Sequence, residues 1–433
     1  MDNLDTIYAL ASARGRAGVA IIRVSGPGAF GCCISLAGSV PPIRHAQLSL
    51  LTHKGQMLDQ ALVLAFQKGA SFTGEDVVEF HLHGGKAVID GVLRSLSEFP
   101  GLRMAEAGEF TRRALENDCL DLAQVEGLSD LIEAETEAQR QQAFRVLQGV
   151  VGEKANIWRA DLLRAAALLE ATIDFVDEDV PVDVFPEVKH LIDRTYAALS
   201  QEIDGSFISE KIRDGFEVAI VGPPNIGKST LLNTISGRDA AIISNIAGTT
   251  RDVIEVQTDL NGLSVTFLDM AGIRESVDEI ESIGVERAMF RAGNADIRLF
   301  IISDKSDLDT MNVPVQKDDI VVCGKGDIQS CESRSISGKS GAGIDGVMRE
   351  ISNTLTEWAG NAGSFTRERH RIAMENAVSG LISASEMISE ESLLPELLAD
   401  ELRLAVRALD SLIGRVDVEH ILGEIFSSFC IGK

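Results

Sequence analysis

The stretch "FEVAIVGPPNIGKST", from Phe216 to Thr230, constrains this chain more than any other feature. A mostly apolar run ends in a Gly-rich turn, which opens directly into the helical pattern "STLLNTI". Gly222, Gly227, Lys228 and Ser229 keep the G-x-x-x-x-G-K-[ST] spacing. Glycines at these points let successive backbone N–H groups turn inward as an anion nest, and the helix N-terminus adds partial positive charge. Asn225, Ile226 and Thr230 complete the phosphate loop. Lys228 is expected to reach the β- and γ-phosphates of a nucleotide and the Ser229 hydroxyl to ligate Mg²⁺.

Around this loop, residues 213–360 alternate strands and helices. Strands are expected at "FEVAIVG", "RDVIEVQTDL", "LSVTFLD", "DIRLFIIS", "DIVVC" and "SRSIS", with a hairpin turn at Asn261-Gly262. The remainder suits a mostly parallel, doubly wound sheet, a Ras-like P-loop G domain. Residues 1–118 mix short strands and Gly-rich turns in an α+β pattern. Residues 119–212 carry long amphipathic helices, in which Leu122, Val125, Leu128 and Ile132 recur at helical steps. The helical period returns over 361–433, a piece better suited to packing on the earlier helices than to folding alone. The α/β unit is therefore expected to be inserted into a discontinuous helical domain.

Three further segments complete the nucleotide site. The polar loop from Ser244 through Asn245, Ile246, Ala247, Gly248 and Thr249 to Thr250 offers hydroxyls that can close on Mg²⁺ and the γ-phosphate. Then "LDMAG" ends a strand, where the Asp269 carboxylate can hold a Mg²⁺ water and the Gly272 N–H can meet the γ-phosphate, with Met270 and Ala271 between them. The base side is "VVCGKGDIQ", with Gly324, Lys325 and Asp327, followed by Ser337, Gly338 and Lys339. Asp327 can accept from guanine N1–H and N2–H₂, contacts that adenine cannot supply. GTPases usually carry Asn at the position of Gly324, and its loss is expected to loosen the loop and weaken affinity by roughly 1–2 kcal/mol. Ile273 stands where a Ras-type enzyme places its water-orienting Gln, so another group must do that work. Arg274, Glu275, Glu279 and Glu281 are nearby, and sequence alone reads them as solvated helix charges.

A formal net charge of −26 over 433 residues argues against non-specific binding to phosphate backbones, so a nucleic-acid partner needs a local basic patch or a second protein. The six cysteines show no metal spacing and read as reduced thiols. The start, "MDNLDTIYALASARGRAG", lacks the apolar core of a signal peptide, and no run of about 18 apolar residues forms a membrane span. A cytoplasmic location is expected.

The combination of "GPPNIGKST", "NIAGTTRD", "DMAGIRES" and a terminal "CIGK" resembles the MnmE (TrmE) family of tRNA uridine-modification GTPases. The resemblance covers essentially the whole chain, including "DTIYA", "GRAGVAIIRVSG", "SFTGEDVVEFHLHGG" and "GEFTRRALENDCLDLAQVEGLSDLI" near the amino terminus. It implies an amino-terminal domain with a tetrahydrofolate-binding-like fold that also forms a homodimer. It implies a bound 5-formyl- or 5,10-methylene-tetrahydrofolate as one-carbon donor, contacted by Arg23, Glu79, position 119 and Lys433. It implies K⁺ ligands at Asn225, Ser244, Ile246 and Thr249, Mg²⁺ on Ser229 and Thr250, and a water-orienting Glu281. Such proteins act with an FAD-dependent MnmG (GidA)-type partner, adding an aminomethyl or carboxymethylaminomethyl group to C5 of the wobble uridine, position 34, of certain tRNAs. Three residues depart from the family pattern: Met270 for Thr, Gly324 for Asn, and Cys119 where a lysine can contact folate.

Several residues keep two readings. Cys430 is either a thiolate nucleophile or acid near the one-carbon chemistry, which needs a depressed pKa, or a packed terminal cysteine. His83-Gly84-Gly85 reads first as a strand-ending turn and second as a ligand site, and Glu109 and Asp121 either organise a pocket or serve as cap and surface pair. A regulatory or ribosome-assembly GTPase is the alternative function, and a folate-dependent aminomethyltransferase with a degenerate G domain is a third. The intact Lys228, Ser229 and Asp269 argue against the last.

Overall fold

The computed structural model describes residues 5–174, 183–237, 254–269, 290–311, 313–328, 334–389, 395–416, 425–426, 429 and 432. Met1–Ser129 with Asp410–Lys433 form one unit, and Asp130–Leu409 the other. Among the described residues no helix is long and apolar enough to cross a membrane.

In the first unit, alternation along β2 (Ala17–Ser25) and β5 (Val77–Gly84) sends Ile22, Val24, Phe80 and Leu82 inward. With β1 (Thr6–Leu10), β3 (Gln47–His53), β4 (Gln56–Phe66) and β6 (Leu102–Met104) they form a six-stranded sheet of order β3-β4-β5-β2-β1-β6. Every neighbouring pair is antiparallel except β1 with β6. Helices α1 (Ala29–Ala37) and α2 (Lys86–Ser97) cover the inner face through Leu36, Val92 and Leu96. Two shorter helices follow, α3 (Glu109–Glu116) and α4 (Leu122–Glu133). Asp121 caps α4 reciprocally: its carboxylate accepts the Gln124 N–H at 2.7 Å while the Gln124 side chain accepts the Asp121 N–H at 3.0 Å.

An ion network ties the sequence-distant parts of this unit. The Arg113 side chain, 1% exposed, donates to Asp5 at 2.8 Å, Glu75 at 3.1 Å and Glu109 at 3.1 Å. Arg103 donates to the other Glu109 oxygen at 2.8 Å. Burial opposes the Glu109 charge, but Arg103, the Glu106 N–H and Arg113 outweigh it and hold its pKa below the ordinary value. Glu109 is thus a member of a buried ion network rather than of a surface pair.

In the second unit, α5 (Glu137–Leu147), α6 (Val150–Asp174) and α7 (Phe185–Asp214) precede the α/β segment, and α10 (Ile344–Ala359), α11 (Glu368–Ser389) and α12 (Pro395–Leu412) close or follow it. Helix α7 packs on both α6 and α11, so helices from either side of the α/β segment meet. Trp158 on α6 stacks on Phe365 at 5.5 Å, and Phe365 meets His370 edge-on. The second sheet has the order β11-β10-β7-β9-β8, from β7 (Phe216–Val221), β8 (Ile254–Leu260), β9 (Leu263–Asp269), β10 (Ile297–Ile302) and β11 (Ile320–Cys323). Only β8 with β9 is antiparallel. Helices α8 (Lys228–Ser236) and α9 (Ser306–Thr310) complete the segment. Five expected strands are present, but "SRSIS" contributes a single bridge, Ser335 to Cys323, because the chain turns away again at Ser337.

Asn261 and Gly262 both take positive φ, the backbone a two-residue hairpin requires. The hairpin tip docks on α5: the Ala138 N–H donates to the Gly262 carbonyl at 3.0 Å, and Asn261 donates to Ser352 on α10 at 2.7 Å. The Ala138 N–H is one of the donors that a helix start leaves without an intrahelical partner. Gln139 and Gln142 in turn donate to the Arg213 and Ser209 carbonyls of α7 at 2.9 and 3.1 Å.

Two outcomes follow from this packing. Arg113→Met leaves Glu75 without its guanidinium partner and Glu109 with Arg103 alone, and should cost about 3–5 kcal/mol in chemical denaturation. Because the Glu109 pKa is lowered on folding, its contribution is complete above the ordinary value of 4.5 and lost as pH falls through the lower folded value. The Arg113→Met deficit should therefore shrink in acid, and a deficit constant from pH 7 to pH 3 contradicts the network account. Ala138→Pro removes only the donor to Gly262, since a first helical turn tolerates proline, and should lower stability by about 1 kcal/mol while far-ultraviolet circular dichroism is unchanged.

Candidate functional site

Strand β7 delivers the phosphate loop and α8 receives it. Asn225 sits at φ 61° and Gly227 at φ 112°, left-handed turns that fold the backbone around the loop interior. The Lys228 ammonium, on a residue only 5% exposed, donates to the Gly222 carbonyl at 2.7 Å and the Pro223 carbonyl at 3.0 Å, so it lies across the loop. Burial lowers its pKa, with the nearby Asp269 carboxylate opposing the shift. The Ser229 hydroxyl donates to Asp269 at 2.6 Å. A hydroxyl and a carboxylate at that separation form the hard-oxygen pair a Mg²⁺ ion with retained waters takes. The sheet sets this meeting, because Ile220 at the end of β7 stands opposite Asp269 at the end of β9.

The base side lies beyond β11. Gly324 donates its N–H to the Ile302 carbonyl at 2.9 Å, and Gly326 donates to Ile336 at 2.9 Å. Asp327 is exposed, and its pKa is lowered first by a hydrogen bond to Ser337, then by its own N–H and by Lys339 and Lys325. Lys325 takes φ 56°, and the Thr234 hydroxyl of α8 donates to the Gly338 carbonyl at 2.6 Å. Ile226, Lys228, Ser229, Thr230, Asp269, Gly324, Lys325, Asp327, Ser337, Gly338 and Lys339 therefore occupy connected parts of one sheet end. Ser244, Asn245, Ile246, Ala247, Gly248, Thr249, Thr250, Met270, Ala271, Gly272 and Glu281 lie outside the described residues, as do Cys430 and Lys433.

The first unit presents a second polar cluster on the outward face of its sheet. Arg23 donates to Glu79 at 2.9 Å, with which it is paired across β2 and β5, and the other Glu79 oxygen meets His81 at 3.3 Å. The Arg23 guanidinium lies 5.3 Å from the Phe72 ring centroid and 5.6 Å from that of Phe110. Phe72, Phe110 and His81 were missed from sequence; the signal was present only as apolar residues inside "SFTGED" and "GEFTRR" and as the strand alternation of "EFHLHGG". Cys119 is exposed and lies against Gly74, on the loop that carries Phe72, and burial followed by the Asp118 charge raises its thiol pKa. His83 is held as a strand-end turn, its backbone and ring nitrogens both meeting Asp59 at 2.8 Å.

The end of the chain belongs to this unit as well. Phe426 and Phe429 pack with Val125, Arg112 lies 5.3 Å over the Phe426 ring, and a Cβ at Gly432 would run into the Leu10 carbonyl oxygen. Leu10 is next in β1 to Ala9, which faces Arg23, so the tail closes beside the Arg23 cluster. Among the cysteines, Cys32, Cys33 and Cys119 are free, and burial pushes Cys32 up to about 12 and Cys33 up to about 11. The expectation of reduced thiols fails at Cys323, which is disulfide-bonded.

A family profile described as the MnmE helical domain matches residues 122–430, and one described as the GTP-binding protein TrmE N-terminus matches residues 6–119. A protein of Cereibacter sphaeroides (strain ATCC 17029 / ATH 2.4.9) named tRNA modification GTPase MnmE is 59% identical over 430 residues, covering 99% of this chain and 100% of its own. Proteins of the same name from Cereibacter sphaeroides (strain ATCC 17025 / ATH 2.4.3) and Roseobacter denitrificans are 56% and 54% identical, each over 99% of this chain and their whole length.

The base-side geometry makes one outcome specific. Asp327→Asn exchanges an acceptor for a group that can donate to the O2 of xanthine, so nucleotide preference should move from GDP toward xanthosine diphosphate by about 100-fold or more. Competition against a fluorescent nucleotide measures it, and an unchanged preference removes Asp327 from base recognition.

Proposed function

The chain belongs to the MnmE family of tRNA modification GTPases, and on that premise we propose that it is a K⁺-stimulated GTP hydrolase. Together with an FAD-dependent MnmG-type partner it adds an aminomethyl or carboxymethylaminomethyl group to C5 of the wobble uridine of certain tRNAs. The observation that carries the hydrolase reading is the Ser229 hydroxyl 2.6 Å from Asp269, beside a buried Lys228 lying across the phosphate loop. Lys228 neutralises phosphate charge, the loop amides hold the oxygens in place, and the Ser229–Asp269 pair accepts Mg²⁺. Asn225, turned by its positive φ, is the described member of the proposed K⁺ set with Ser244, Ile246 and Thr249. A cation there supplies the positive charge that an arginine finger supplies in other GTPases. Glu281 is assigned to orient the attacking water because Ile273 cannot.

Tetrahydrofolate fits the Arg23 cluster. A pterin needs an acceptor for its N–H edge, which Glu79 offers, and an apolar wall, which the half-buried Phe72 offers, while the fully buried Phe110 backs Arg23 from within. Bound there, the cofactor supplies a one-carbon unit, while Arg23 fixes the Glu79 carboxylate and Lys433 is assigned to the cofactor's carboxylates. Cys119 cannot make the charged contact of a lysine at that position. We place Cys430 near the same chemistry.

Homodimer formation is supported by the apolar residues left exposed on β3 and β4, Leu48, Leu50, Met57 and Leu62. The net charge of −26 supports a division of labour in which the partner protein supplies much of the contact to tRNA. A cytoplasmic setting follows from that substrate.

GTP hydrolysis measured in K⁺ and in Na⁺ at equal ionic strength tests the reading. K⁺ should raise the rate at least about tenfold, equivalent to ~1.4 kcal/mol of barrier. Equal rates would remove the cation-dependent mechanism and leave the family membership intact.

A further inference from the structure

Gly324 stands where GTPases usually carry an asparagine, and the space beside it is already filled. A Cβ on Gly324 would lie 2.8 Å from Ile301 Cγ2, 2.9 Å from Ile226 Cγ1 and 3.0 Å from the Ile226 carbonyl oxygen. Ile226 belongs to the phosphate loop and Ile301 to β10; they are 4% and 2% exposed and share one hydrophobic core. Both contacting carbons branch directly from Cβ, the stiff part of an isoleucine, so neither can swing away as a long side-chain tip could. An asparagine at 324 could not enter without moving two packed residues and a main-chain carbonyl. The missing side chain has left no hole and no slack.

We propose that Ile226, Ile301 and Gly324 are a matched set that fastens the base-reading loop to the phosphate loop by apolar packing, in place of the hydrogen bonds an asparagine makes. Ile226 is then a positioning residue for guanine recognition as well as part of the phosphate loop. Two observations agree. Lys325, next to Gly324, holds a left-handed φ of 56°, which a long side chain keeps only where the surroundings enforce it, and Asn225, next to Ile226, holds 61°. Gly324 and Gly326 are also pinned by their N–H groups to Ile302 and Ile336, so the loop backbone has no room to retreat from an added side chain. The expectation that losing the asparagine loosens the loop is reversed: here its restoration is what disrupts.

The proposal rests on reading Gly324 to Asp327 as the base loop, and a mutant cycle tests it. GDP and inosine diphosphate affinities are measured in the full chain for the wild type, Ile226→Ala, Gly324→Asn and the double variant, with thermal unfolding of each in parallel. Gly324→Asn alone should weaken GDP binding at least tenfold, although it restores the usual residue. Ile226→Ala should also weaken GDP binding, and should narrow the GDP-to-inosine-diphosphate preference, because a loosened loop holds Asp327 less firmly against the guanine amino group. A fold that was merely destabilised would lower both affinities together and leave that ratio unchanged. The double variant should bind GDP more tightly than the product of the two single effects allows, a partial rescue because Ile226→Ala relieves the Cγ1 contact and leaves those with Ile301 and the Ile226 carbonyl. Gly324→Ala, which adds only the overlapping Cβ, gives the same comparison if the asparagine variant does not fold. Gly324→Asn binding GDP as tightly as the wild type, or single effects that simply multiply in the double variant, would overturn the matched set. Asp327→Asn separates the two levels: an unchanged base preference there brings down the base-loop reading itself, whereas a switched preference with no rescue in the double variant brings down only the pairing.

Discussion

The register between β7 and β9 is the constraint on which the nucleotide site depends. Phe216 faces Val265 and Ile220 faces Asp269, so the strand that feeds the phosphate loop ends beside the strand that carries the carboxylate. A slip of one residue would turn Asp269 to the opposite side of the sheet and take it away from Ser229. The apolar content of both strands prevents that slip, because Val218, Ile220, Val265 and Phe267 are all buried in one core. Two Asp269-to-Ser229 atoms 2.6 Å apart are thus the visible end of a long run of packing.

β9 also connects the site to the rest of its unit. Its hairpin partner, β8, ends at a tip held by α5 and α10, and α5 is held by two glutamines to α7, which runs directly into β7. The path returns to its start. Strand, hairpin, helix and strand form a closed loop of contacts at the end of the sheet opposite the nucleotide site. The Arg23 cluster of the other unit is built on different physics, an ion pair on an outward sheet face walled by two phenyl rings. One site is made of main chain and needs exact backbone turns; the other is made of side chains and needs only the correct face of a strand.

How much of this could be read from the sequence follows the distance over which each feature acts. The phosphate loop and the Asn261-Gly262 turn were legible because each is local: a few residues dictate the backbone. The strands from β7 to β11 were legible as apolar runs. The three-residue β6 was not, nor was β1, whose place depends on pairing with β2 and β6 rather than on its own pattern. The Arg113 network was illegible for the same reason, since it joins Asp5, Glu75 and Glu109 from separate elements. Gly324 shows the limit best. Sequence gave its identity and suggested a lost contact, but only the position of Ile226 and Ile301 reveals that the volume is occupied.

The tail of the chain has a consequence for biosynthesis. Phe426 and Phe429 complete the packing around Val125, yet ribosomes make them after the roughly 280 residues that separate Ser129 from Asp410. At about 5–20 residues per second, the amino-terminal unit waits some 15–60 seconds for its last pieces while the other unit emerges. During that interval the surface destined for the two phenylalanines is bare, and the nascent polypeptide needs either a chaperone over it or enough intrinsic solubility to wait.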